Sequence, residues 1–272
     1  MRGSTPCHGD DVARYGGNTS CVSVDVAGHD PILLDLGTGA RYFGLQCDPQ
    51  VAFRGTCLVT HLHWDHIQGL PFFPPLLRPG SHLDVHAPMQ DGDRSISEVI
   101  RGTLRPPLFP IDLELFPGEI DFHAKGDDDF AIGDVSVSSR LIPHIGSTLG
   151  YRLEFGGASL AYISDHQQPG VDVFEATENA RELCAGVDLL IHDAQYTPDE
   201  FALKSDWGHC TTEYAVWLAV EAGVKQLALF HHDPMHDDDH IDGALVDAES
   251  RCHGSGTSVV AAREGLTLHV GT

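Results

Sequence analysis

Basic residues are scarce in this chain, and lysine is scarcer still. Lys and Arg total 16 against 40 Asp and Glu, a formal net charge of −24, and three of the sixteen are Lys. Such acidity opposes tight binding to a long polyanion unless the few cations cluster, so no long nucleic acid is expected as a partner. Solubility or adaptation to salt would account for it equally well. No apolar run approaches the length that spans a bilayer, and no charged-then-apolar signal opens the chain; no membrane partner is expected. Seven cysteines, odd in number and without a CxxC pair, fit reduced thiols in a cytoplasm. Linkers, repeats and low-complexity tracts are also missing. The expectation is one cytoplasmic domain over residues 1–272, large enough to bury a substantial core.

Histidine, by contrast, is plentiful, and it concentrates in His61-Leu62-His63-Trp64-Asp65-His66. Four metal-ligand side chains fall within six residues. The apolar run Cys57-Leu58-Val59-Thr60 before them reads as a short buried strand, and Ile67-Gln68-Gly69-Leu70 after them is apolar at helical spacing. The segment is therefore expected on a strand-to-helix turn. Neutral imidazoles with a carboxylate suit Zn²⁺ or another borderline divalent ion, and four ligands so close can serve two ions. A solvated polar turn is the plain alternative. Three further apolar strands end in ligand types: Arg140–His144 in a histidine, Leu160–Asp165 in an aspartate, and Gln226–Phe230 in His231-His232.

His61-x-His63-x-Asp65-His66, followed in order by these motifs, resembles the signature of the metallo-β-lactamase superfamily over nearly the whole chain. The resemblance implies an α/β fold, an αββα sandwich of two mixed sheets flanked by helices. It implies two divalent metal ions, Zn²⁺ first and Mn²⁺ or Fe²⁺ as alternatives. His61, His63 and His144 would hold one ion and Asp65, His66 and His231 the other, with Asp165 bridging. His231 is preferred to His232 because neighbours on an extended chain point to opposite sides. Relatives of this kind carry a full strand before the segment matching Arg2–Pro6, so a short first strand, or a true start further upstream, is expected. A missing edge strand would expose unpaired backbone on its neighbour.

Along the chain, strands are expected at Cys21–Val26, Ile32–Leu36, Ser81–His86, Ile120–His123, Val135–Ile142, Leu149–Phe155 and Ser159–Ile163. A helix is expected at Thr211–Ala222, closed by Gly223. Asp35-Leu36-Gly37-Thr38-Gly39 resembles the glycine turn that supports the family's metal loop; without a Walker lysine it is a weak phosphate cradle. Pro71–Pro110 reads as a loop with a short helix shaping access.

Two motifs narrow the chemistry. Leu189–Gln195 resembles the His-Glu-Ala-Thr segment of the phosphodiesterase branch, with Asp193 in place of Glu, and Trp207–Thr212 resembles that branch's His-Ser-Thr segment. The resemblance implies that His209, oriented by Asp193, protonates the leaving oxygen while water activated by the two ions attacks phosphorus in line. Asp65 would orient that water as well as ligate. A neighbouring carboxylate stabilises imidazolium, which suits such a donor.

The branch contains tRNA 3′-end endonucleases and enzymes that open small cyclic phosphates. Only 21 positions separate His144 from Asp165, too few for the tRNA-clamping arm that bacterial tRNA endonucleases insert there. The glycine motifs Gly16–Ser20 and Asp35–Gly39 also resemble the cyclic-nucleotide-cleaving relatives. The expected substrate is thus a small phosphodiester, a cyclic nucleotide or cyclic sugar phosphate. A ribonuclease Z-like endoribonuclease and a non-catalytic metal-binding cofactor-assembly protein of the same fold are the alternatives. A homodimer is compatible with the sequence.

Overall fold

The computed structural model describes residues 1–90, 92 and 94–271. The chain divides into two compact units, Thr19–Gly126 and Met1–Asn18 with Asp127–Thr272. Each is built on one mixed β-sheet with its own helices, the two-sheet α/β class that the motifs imply.

In the first unit, β1 (Val22–Val24) and β2 (Ile32–Leu34) form an antiparallel pair. Helix α1 (Gly39–Gln46) leads to β3 (Arg54–Leu58), and α2 (Trp64–Ile67) with two 3₁₀ turns leads to β4 (His82–Pro88). Helix α3 (Ile96–Thr103) precedes β5 (Glu119–Lys125). The sheet order is β1-β2-β3-β4-β5, parallel from β2 onward. Parallel pairing requires crossovers, which these helices supply. Alternation in β4 turns Leu83, Val85 and Ala87 into a core with Leu33, Cys57 and Val59, closed by Ala40 of α1 and Ile96 and Ile100 of α3.

The second unit begins with the meander β6 (Asp128–Ile132), β7 (Val135–Leu141), β8 (Leu149–Phe155) and β9 (Ala158–Ile163). Four helices follow: α4 (Glu178–Cys184), α5 (Pro198–Leu203), α6 (Thr212–Glu221) and α7 (Asp238–Arg251). They alternate with parallel strands β10 (Leu189–Asp193), β11 (Gln226–Phe230) and β12 (Ser258–Ala261), giving the order β12-β11-β10-β9-β8-β7-β6. β10 and β11 are buried nearly throughout, so they read as continuous apolar runs rather than alternating ones. Helices α4 and α6 cover them through Leu183, Ala215 and Leu218.

Most expected strands appear with ends shifted by one to three residues, and α6 is capped by Thr211 as its sequence suggests. Three differences matter. The early chain holds α1, which two poor helix formers, Gly39 at its start and Gly44 inside it, disguise. Pro71–Pro110 holds the expected short helix as α3, opened by a Ser95–Glu98 capping box, and the strand expected at Ser81–His86 as β4, which runs two residues further, while two 3₁₀ turns precede them. And β6, α4, α5, α7 and β12 complete the second unit without any expectation from the sequence. Among the described residues, no helix is long and apolar enough to cross a membrane.

Candidate metal centre

In the first unit the ligand-rich segment leaves β3 at Leu58 and enters α2 at Trp64, so Asp65 and His66 sit on the helix's first turn. The His61 ring lies 4.3 Å from that of His63 and 4.2 Å from that of His66, centroid to centroid. His66 Nε2 lies 3.2 Å from Asp65 Oδ2. Its Nδ1 donates to Asp35 Oδ2 at 2.8 Å. Because a carboxylate can only accept, this bond places the proton on Nδ1 and the lone pair on Nε2, the form in which imidazole ligates metals. Asp35 also receives the Thr60 amide at 2.7 Å and the Thr60 hydroxyl at 3.0 Å, and Thr60 Oγ1 lies 3.1 Å from His61 Nδ1.

Asp35 is fully buried and left-handed, with φ +61, an uncommon backbone for a non-glycine residue. Gly37 follows where a Cβ would strike the Asp65 carbonyl at 2.5 Å, so the glycine turn is what lets the ligand loop approach. The sequence singled out Asp35 only as the start of the glycine turn Asp35–Gly39, with no role of its own. Its signal was an acid at a strand end beside a glycine turn.

In the second unit, parallel pairing sets the site. β9, β10 and β11 are neighbours in register, with His192 opposite Ile163 and Asp193 opposite Phe230. The residues just past these strand ends therefore share one sheet edge, where ligands of parallel sheets gather. β7 runs in the same direction as β9 through two antiparallel pairings, so His144 reaches that edge too.

Asp165 is buried between histidines: Oδ2 lies 3.7 Å from His144 Nε2, and Oδ1 lies 3.5 Å from His231 Nε2. Its two oxygens thus face different imidazoles. Both rings are oriented through Nδ1, His144 by the Gly208 carbonyl at 2.6 Å and His231 by Gln195 Oε1 at 2.7 Å. Gly208, at φ +94, admits His144, whose ring a Cβ would meet at 2.4 Å.

His231 itself is left-handed, with φ +57, so the chain is not extended there as the choice between His231 and His232 assumed. The turn, rather than strand alternation, separates the two: His232 Nε2 lies 3.1 Å from the Ala262 carbonyl and its ring meets Tyr15 edge-on. Burial and the neighbouring N-terminal ammonium push the His232 pKa well down.

His209 lies beside this cluster. Its Nδ1 donates to Asp193 Oδ2 at 2.9 Å, and its ring stacks on His231 with centroids 5.0 Å apart. Aspartate, one methylene shorter than glutamate, closes that distance because two amides fix it: His166 N–H on Oδ2 and Gln195 N–H on Oδ1, each at 3.0 Å. Around the pair, burial pushes the His166 and His192 pKa values down and the Cys210 thiol up, so these groups are neutral near pH 7. One ligand atom from each of Asp165, His209 and His231 falls within 4.8 Å of the others. Imidazoles with Nε2 turned outward beside carboxylates form a donor set that fits a divalent ion.

Each cluster is a candidate site for a divalent ion. The chain belongs to the β-lactamase superfamily, whose domain matches residues 54–232. It is similar to ribonuclease Z from Synechococcus sp. (strain CC9311), 26% identical over 272 aligned positions covering 83% of this chain and 85% of the relative. Its fold is similar to that of human tRNase Z, short form (TM-score 0.71, 16% identity, 100% of this chain and 97% of that one). It is also similar to a diphosphatase from the PhnP family (TM-score 0.62, 18% identity, 93% and 85%).

Proposed function

We propose that this metal-dependent phosphodiesterase hydrolyses a small cyclic phosphate, a cyclic nucleotide or cyclic sugar phosphate. The observation that carries the reading is the stretch between His144 and Asp165. A turn, β8, a two-glycine turn and β9 account for all of it, leaving no inserted arm to grip a long RNA. The ribonuclease Z alignment runs over more positions than the share of this chain it covers, so that relative holds residues this chain lacks. The net charge of −24 works in the same direction.

In this reading one domain carries one centre of two ions. His61, His63 and His144 would hold the first, Asp65, His66 and His231 the second, and Asp165 would serve both, Zn²⁺ being the first choice of ion. When bound, such ions polarise phosphoryl oxygens and lower the pKa of water. Asp35, the Gly208 carbonyl and Gln195 fix which imidazole nitrogen faces the ions. Asp65, buried beside His66, would orient the attacking water as well as ligate. His209, with its Nδ1 proton held by Asp193, can carry a second proton on Nε2 and deliver it to the departing oxygen. That pair speaks against the non-catalytic cofactor-assembly alternative, which needs no proton donor.

The test is a panel of 2′,3′- and 3′,5′-cyclic nucleotides, a cyclic sugar phosphate and a pre-tRNA, assayed on Zn²⁺-reconstituted protein. Turnover of a cyclic ester with little salt dependence is expected. Pre-tRNA cleavage that falls steeply with salt would replace this reading with the ribonuclease Z one, which the names of the curated relatives favour. No turnover on any ester would favour the non-catalytic alternative.

A further inference from the structure

A second set of metal-ligand side chains lies on β4 and β5, outside every motif used above. Leu83, Val85 and Ala87 turn one face of β4 into the apolar core, and Ile120 and Phe122 of β5 pack against the same cluster. The opposite face carries His82, Asp84 and His86 on β4, with Glu119, Asp121 and His123 as their direct cross-strand partners. Three of these six are imidazoles and three are acids.

The geometry is that of a site rather than a scatter of charges. His82 Nε2 lies 3.0 Å from Asp121 Oδ2, and His82 Nδ1 lies 3.6 Å from Asp84 Oδ2. One ligand atom from each of His82, Asp84 and Asp121 falls within 4.8 Å of the other two. Tetrahedral coordination with bonds of ~2.0–2.1 Å sets ligand atoms about 3.3 Å apart, so a small rotation of each side chain would complete it. His123 Nε2 lies 2.7 Å from Asp84 Oδ1, the second oxygen of that carboxylate, and the His123 ring stacks on His86 at 4.6 Å. A ligating carboxylate is commonly held by such a partner.

The pairing also carries a cost that a cation would remove. Asp84 and Asp121 are directly opposite one another, and like charges at such positions destabilise a sheet. His82, the group between them, offsets at most one of the two negative charges, and only when protonated. Lys125, two residues beyond His123 on the same face, is opposite Pro88 rather than either aspartate. The side chains of His82, Asp84 and Asp121 are 23%, 36% and 68% exposed, so an ion can reach them from solvent.

We propose that His82, Asp84 and Asp121 form an additional divalent-metal site on the β4–β5 face, with His123 positioning Asp84. One imidazole and two carboxylates, with water completing the shell, suit a Zn²⁺-like ion of modest affinity. A site made only of carboxylates would instead favour Ca²⁺.

Calorimetric titration of the full-length, metal-stripped chain with Zn²⁺, with Ca²⁺ as a control, tests this. His82→Ala combined with Asp84→Asn should lower the number of bound Zn²⁺ ions by one. The same decrement should appear in an Asp165→Ala background, which keeps the result independent of the centre proposed above. His123→Ala should weaken that one equivalent by about 10–100-fold without removing it. Asp121→Asn, on the edge strand, is the second variant should the first fail to fold, and it should lose the same equivalent. Unchanged Zn²⁺ stoichiometry in a folded variant of either kind would overturn the proposal. So would Ca²⁺ displacing that equivalent at equal concentration.

Discussion

The two clusters of metal-ligand side chains are built by opposite strategies. In the unit Thr19–Gly126, four of them fall within six residues of one turn, and the loop's own geometry brings the His61, His63 and His66 rings together. In the other unit, His144, Asp165 and His231 stand on three different strand ends far apart in sequence, and the sheet brings them together. The first cluster depends on local backbone, above all left-handed Asp35 and the small Gly37. The second depends on strand register and on helices that hold β9, β10 and β11 side by side. Yet both share one device, an oxygen acceptor on Nδ1 that leaves the imidazole's lone pair on Nε2.

Asp165→Ala should break the comparison most severely. Its two oxygens face His144 and His231 separately, so one substitution removes a ligand from both sides of its cluster. We expect phosphodiesterase activity to fall to background and the metal retained by this centre after reconstitution, measured by elemental analysis, to be lost, leaving at most the one weaker equivalent of the β4–β5 face. Two tightly bound ions in this variant would refute the bridging assignment.

His209→Ala separates catalysis from metal binding within the second cluster. Metal content should be kept while kcat falls by roughly 10²–10⁴-fold. The loss should shrink with p-nitrophenolate as leaving group, which needs no proton. Equal losses for acidic and basic leaving groups would point to phosphate binding by His209 instead.

The smallest effect is expected where the strategies converge. Asp35→Ala and Gln195→Ala each remove an acceptor from a ligand's Nδ1, which should weaken metal binding by about 10–100-fold. Asp35→Ala should also lower folding stability by about 1–3 kcal/mol, because the buried Thr60 amide loses its acceptor. Metal titration and urea denaturation of the two variants would read both quantities. Equal stability losses would show that the loop-built cluster is no more dependent on its orienting residue than the sheet-built one.

Much of this protein was legible in its sequence because ligand chemistry is local in type and order. His61–His66 announces itself without any fold, and apolar strands ending in His144, Asp165 and His231 repeat the theme. Asp193 and His209 were also legible, as motifs, though not their 2.9 Å contact. What stayed hidden depends on neighbours distant in the chain. Asp35 looks like any turn aspartate until the fold brings His66 and Thr60 to it from some thirty residues away. The left-handed turn at His231, which separates it from His232, is set by tertiary context rather than by strand alternation. The His82, Asp84 and Asp121 group exists only because β4 and β5 pair in one register, and a slip of either strand by a single residue would send that strand's share of it to the other face. Sequence alone determined which chemistry the chain can perform. Tertiary structure decided which nitrogen of each imidazole performs it, because that choice rests on a hydrogen-bond acceptor supplied from elsewhere in the fold.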